Sequence, residues 1–173
     1  MTNNLISIIS YLLLLLHCSE ASQAPNILYI FSDDHSINAI SSYGSKINRT
    51  PNIDSIATEG VLFKNSFCTN SICQPSRAAI LTGTHSHING VTYNGAKWNG
   101  SQSIYPKILA DRNYQTALIG KWHMHPNPSH EFQHWEVLSG HGGQGSYYNP
   151  LFENKNGSKR EQGYSTDIIT NKA

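Results

Sequence analysis

Three apolar runs and the polar residues that end them set the expected elements. Residues 26–31, NILYIF, are continuously apolar between Pro25 and Ser32-Asp33-Asp34. That is the pattern of a parallel strand buried on both faces and stopped abruptly at two carboxylates. Residues 61–67 predict a second strand, and residues 114–119, YQTALI, a third that runs into Gly120-Lys121-Trp122-His123. Between them lie helical signals. Thr50-Pro51 before NIDSIATEG reads as an N-cap, a first-turn proline, a helix and a terminating Gly60. Residues 75–81 predict a helix closed by Gly83, with Cys73 just ahead of its N-terminus, where amide groups and the macrodipole favour negative charge. Residues 103–112 predict another helix, and a new one begins near residue 166. Strands alternating with helices give an α/β fold with a mixed, mostly parallel sheet flanked by helices. The glycine-rich stretch SGHGGQGSYYNP, residues 139–150, lacks the spacing and the Lys-Ser/Thr of a phosphate-binding loop and reads as irregular surface chain.

The first 22 residues change the picture of where the chain works. An apolar run from Leu5 to Leu16, too short to span a bilayer, is followed by small residues around Ala21 and Ala24. This is the layout of a signal peptide over residues 1–22, and it implies an exported, periplasmic or secreted, mature protein with no stable membrane span. The remaining 23–173 are enough for one domain or part of a larger one. Lys and Arg number 12 against 11 Asp and Glu, for a net charge of +1 with no long run of either sign, so nothing points to nucleic acid. Cys18 leaves with the signal, and Cys68 and Cys73 remain, close enough to close a small disulfide loop in an oxidising compartment.

Candidate chemistry gathers at the ends of the predicted strands, where open α/β sheets collect ligands. Asp33 and Asp34 repel unless a cation or shared proton relieves them, and a hard divalent ion such as Ca²⁺ or Mg²⁺ suits their oxygens; as a lone pair they read more readily as a loop start or an Asx cap. Lys121 and His123, one residue apart, would project to one side of an extended segment. A cation and an imidazole aimed together suit an anionic ester, while an exposed loop lysine is the plain alternative. His85, His87 and the run His123, His125, His130, His134 match no firm zinc spacing.

The stretch CQPSRAAILTG, residues 73–83, resembles the signature of the sulfatase family, C-x-P-S-R followed by Leu-Thr-Gly, at every fixed position. NILYIFSDDH resembles that family's first strand and acidic pair, and ALIGKWHM its G-K-W-H segment. The resemblance implies an alkaline phosphatase-like fold. It also implies that Cys73 is oxidised to formylglycine by a formylglycine-generating maturation enzyme, that Asp33, Asp34 and residue 73 bind one Ca²⁺, and that Arg77, Lys121 and His123 act on sulfate. On this reading the hydrated aldehyde attacks sulfur, His123 protonates the leaving alcohol, and the second hydroxyl expels sulfate.

The segments SDDHSINAISSYGS, TNSICQPSRAAILTGTHSHINGV and GYSTDIIT look most like exported N-acetylglucosamine-6-sulfatases, which makes a sulfated carbohydrate such as a glycosaminoglycan sugar the expected substrate. The resemblance covers only the N-terminal part of such enzymes, so later metal ligands are absent and the fold is expected to be incomplete at its C-terminus. Two alternatives stay open: a phosphate or phosphonate ester hydrolase of the same superfamily, and a non-catalytic secreted binding fragment.

Overall fold

The computed structural model describes residues 24–173; the predicted signal peptide and Cys18 lie outside the described residues. The chain divides into two compact units, residues 1–35 and 36–173. In the first, residues 24–32 carry no regular secondary structure and lead into a bend at Asp33-Asp34, with Asp34 at φ 52°.

The second unit is built on a four-stranded sheet in the order β1 (Ala117–Gly120), β2 (His134–Ser139), β3 (Leu151–Asn154) and β4 (Gly157–Arg160). β1 and β2 are parallel, Ala117 opposite His134, while β2–β3 and β3–β4 are antiparallel. The sheet is thus mixed, with one parallel pair. The β3–β4 hairpin turns on Lys155-Asn156, with the Asn156 amide donating to its neighbour Asn154 Oδ1 at 2.9 Å. The parallel crossover, residues 121–133, is irregular rather than helical. It therefore delivers the Gly-Lys-Trp-His segment directly from the carboxyl end of β1.

Five helices are described: α1 (Pro51–Glu59), α2 (Cys73–Thr82), α3 (Ser86–Asn89), α4 (Tyr105–Ala110) and α5 (Ser165–Lys172). α1 starts at Thr50 and stops at Gly60 as its pattern predicts, although the Thr50 hydroxyl does not cap it. Instead Thr50 Oγ1 donates to Asp54 Oδ1, and the Ser41 hydroxyl and Ser42 amide also donate to that carboxylate. The Ser41 hydrogen bond foremost, with those of Thr50 and Ser42, holds the Asp54 carboxyl below its ordinary range despite some desolvation. α2 closes on Gly83, left-handed at φ 65°, as expected. α4 is shorter than the predicted 103–112 because Pro106 permits only a start, and Asp111 already caps its end.

The sheet separates two environments by strand alternation. Glu136, Leu138 and Phe152 share one face with α5, where Lys172 Nζ reaches Glu136 Oε1 at 2.7 Å and Glu161 Oε1 at 2.9 Å and sits 5.3 Å from the Phe152 ring centre. Those two carboxylates, Glu136 first, raise the lysine's pKa. Trp135 and Val137 on the other face join Trp122, Met124, Phe132, Trp98, Ile104 and the α2 residues Ala78 and Leu81 in one core. Trp122 meets Trp98 and Phe132 edge-on, at centroid distances of 6.2 and 6.1 Å.

Two expected strands are not strands among the described residues. Residues 26–31 join no ladder, with Leu28 79% and Ile30 76% exposed; residues 61–67 are irregular, with Phe63 70% and Phe67 90% exposed. A parallel strand needs neighbours on its edges and cover on both faces, and the described residues supply neither. Conversely, β2 and the β3–β4 hairpin arise from stretches that carried no strand expectation.

Candidate active site

Cys73 is the first residue of α2, with Ile72 at the N-cap, so the helix starts two residues earlier than the expected Pro75. Pro75 tolerates this because first-turn amides need no intrahelical acceptor; the Ser76 amide makes the first turn's bond to Ile72 O at 2.9 Å. Gln74, Pro75, Ala78 and Leu81 form the helix's buried side. Cys73 and Arg77, four residues apart and half-buried, lie together on one flank. Cys68 and Cys73 are both free thiols, so no disulfide closes the loop between them; Cys68 Sγ instead donates to Asn70 O at 3.0 Å.

The start of α2 is held from outside the helix. Asn94 Oδ1 accepts the Gln74 amide at 3.0 Å, supplying the cap that Ile72 cannot. The Gln74 side chain, 1% exposed, donates to Ala96 O and accepts from the Gly95 amide, both at 2.6 Å. Residues 94–96 and the variable position of the C-x-P-S-R motif therefore lock together around residue 73.

Arg77 joins this helix to the second predicted segment. Its Nη1 donates to the Lys121 carbonyl at 2.7 Å, a charge-assisted bond across 44 residues of chain. Beyond Lys121, Trp122 is anchored in the core and its Nε1 donates to Pro126 O at 2.8 Å. His123 is 8% exposed and takes the left-handed conformation, φ 55°. A non-glycine residue there costs of order 1–3 kcal/mol and clusters at functional sites. That turn also means strand alternation does not orient Lys121 and His123, contrary to the expectation from their spacing. The anchored Trp122 and the Arg77 bond hold the segment instead.

His123 opens onto a cleft of about 280 Å³ on the Val137 face of the sheet, shared with His125, Asn127, Ser139 and Glu153. The glycine-rich stretch expected to be surface chain forms one wall. Gly140 and Gly143 have φ of 84° and 89°, and a Cβ on Gly143 would lie 3.1 Å from His123 Cα. At Gly143 the stretch passes so close over the histidine that a side chain would crowd its backbone. Asn94, Gly143 and Glu153 went unnoticed in the sequence; the glycine cluster was the one available signal.

The structure thus brings Cys73, Arg77, Lys121 and His123 into one assembly. Asp33 and Asp34 belong to the N-terminal unit, at its bend. Among the described residues no three His, Cys, Asp or Glu are grouped to hold a metal, and His85 and His87 merely stack at 5.7 Å.

Comparison with known proteins matches the Sulfatase family model to residues 25–173. The chain is 48% identical over 154 residues to N-acetylglucosamine-6-O-sulfatase of Bacteroides thetaiotaomicron, covering 89% of this chain and 27% of that protein. It is 36% identical over 135 residues to the Homo sapiens N-acetylgalactosamine-6-sulfatase, covering 68% of this chain and 26% of the relative. A solved structure in complex with its substrate D-glucosamine-2-N,6-O-disulfate superposes with a TM-score of 0.84 at 48% identity, over 87% of this chain and 30% of that one. The chain therefore spans about a quarter of the length of these curated relatives.

Proposed function

Because the chain belongs to the sulfatase family, we propose that it is the N-terminal part of a catalytic domain that hydrolyses sulfate esters of carbohydrates, with residue 73 as the reacting position. The observation that carries the reading is the 2.7 Å bond from Arg77 to the Lys121 carbonyl, which makes one assembly of the C-x-P-S-R helix and the segment bearing Lys121 and His123. The similarity to an N-acetylglucosamine-6-O-sulfatase, and to a structure holding a 6-O-sulfated glucosamine, supports a 6-sulfated amino sugar as substrate.

The residues divide the work by chemistry. Formylglycine made from Cys73 by a maturation enzyme supplies, as its hydrate, a hydroxyl nucleophile that neither serine nor cysteine can regenerate in the same way. Arg77, on the same helix flank as residue 73, has its guanidinium held by the Lys121 carbonyl and brings positive charge to the developing negative charge. Lys121 neutralises sulfate oxygens. His123, shielded in the cleft, gives a proton to the departing sugar oxygen. The hard oxygens of Asp33 and Asp34 suit Ca²⁺, which would supply charge neutralisation and takes about six to eight such ligands. A leader over residues 1–22 and export complete the proposal.

The test is mass spectrometry of the Cys73 peptide from a host with the maturation enzyme, paired with hydrolysis of N-acetylglucosamine-6-sulfate by the protein made from its full reading frame. An aldehyde at residue 73, and sulfate release lost on Cys73→Ala, is the expected result. A thiol retained under those conditions, with no sulfate release, overturns the proposal.

A further inference from the structure

We infer that Glu153 is a substrate-binding residue that accepts hydrogen bonds from the hydroxyls of the sugar ring, and that the cleft it shares with His123 holds the alcohol half of the ester. The inference rests on the sulfatase reading and deepens it.

Three observations converge. Strand alternation puts Phe152 into the face under α5 and its neighbour Glu153 onto the opposite face, beside Val137, where the cleft lies. The carboxylate is held in place there, since Asn127 Nδ2 donates to Oε1 at 3.1 Å and Ser139 Oγ to Oε2 at 3.3 Å. A carboxylate has about four acceptor positions, so these two neutral partners fix its orientation and leave acceptor capacity facing the cavity. Glu153 is half-buried, so its carboxylate stays within reach of a ligand in the cleft.

The place of the cleft gives the acceptor its meaning. His123 lines it, and the proton His123 donates goes to the oxygen joining sulfur to sugar, so the sugar carbon skeleton extends away from that oxygen into the space beside the histidine. At about 280 Å³ the cleft is at the small end of ligand pockets, suited to one ring. A fixed, oriented carboxylate among neutral donors recognises hydroxyl groups, and it repels an anionic sulfate, which keeps the sulfate end of the ester on the Lys121 and Arg77 side. A site built to hydrogen-bond a hydroxyl discriminates strongly against ligands that lack it.

The experiment compares two esters with the aldehyde-bearing full-length protein: N-acetylglucosamine-6-sulfate, which carries ring hydroxyls, and 4-methylumbelliferyl sulfate, which carries none. In Glu153→Gln the ratio of kcat/KM for the sugar over the aryl ester falls at least tenfold, chiefly through a higher KM for the sugar. Inhibition by free N-acetylglucosamine weakens in parallel. Glu153→Asp, which keeps the charge but withdraws it by one methylene, reads the same ratio should the glutamine variant not fold. An unchanged ratio, or an equal loss on both esters, overturns the inference and leaves Glu153 a structural residue. A wild-type protein that cleaves neither ester overturns this inference together with the sulfatase reading, and so is distinct from a wild type that cleaves both with an unaltered ratio in the variants.

Discussion

Gly143 shows how a residue with no side chain can govern one with chemistry. Its φ of 89° lies in the region where L side chains are strained, and the missing Cβ would stand 3.1 Å from the His123 backbone. His123 in turn spends conformational energy on φ 55°. Gly143→Ala should therefore displace the histidine or the loop, cost about 1–3 kcal/mol of stability, and reduce sulfate-ester hydrolysis by more than the melting shift explains. Calorimetric melting alongside kcat measures both; an unaltered kcat would show that the contact does not position His123. Cys73, Arg77, Lys121 and His123 were singled out in the sequence because each lies in a short motif, and the structure ties those motifs together through the Arg77 bond to the Lys121 carbonyl. Gly143, Asn94 and Glu153 were not, since each matters only through a loop or strand that the fold brings to a distant segment. The spacing rule for Lys121 and His123 failed for a related reason: alternation holds only while the backbone stays extended, and His123 does not.

Among the elements, α1 and α2 were read almost as they stand, because Thr50-Pro51, Gly60 and Gly83 are local punctuation acting within a turn. β2 and the β3–β4 hairpin were not read, since their strands are four to six residues long and stabilised by pairing rather than by their own pattern. α2 shows the same dependence at its start. With Ile72 at the N-cap, the first turn is satisfied by Asn94 Oδ1 on the Gln74 amide, 20 residues away. Asn94→Ala should cost about 1 kcal/mol, the usual value of an N-cap, and should also loosen residue 73. Hydrogen exchange of the Gln74 amide is the direct measure: faster exchange there, with the Leu81 end of α2 unchanged, is the expected pattern. Uniform protection in the variant would mean the 94–96 loop is not what holds the helix start.

At the scale of the molecule, the apolar segments that most resembled strands are the ones left uncovered. Ile27, Leu28, Tyr29 and Ile30 are each more than half exposed, as are Val61, Phe63 and Phe67. A continuous apolar run predicts that its side chains are buried in the finished fold, but it does not say against what. The chain spans about a quarter of the length of the curated relatives it matches. Large contiguous apolar exposure is unusual in soluble monomers and drives association. A polypeptide of residues 24–173 should therefore bind a hydrophobic dye and sediment above its monomer mass. Polar replacement of two outward residues, Leu28→Ser with Phe67→Ser at 79% and 90% exposure, removes apolar area without touching the Trp122 core. That variant should shift back toward monomer with its melting transition retained. A wild-type fragment that stays monomeric and binds no dye would mean these runs find cover within the 150 residues themselves, and their strand-like pattern would then need a different explanation.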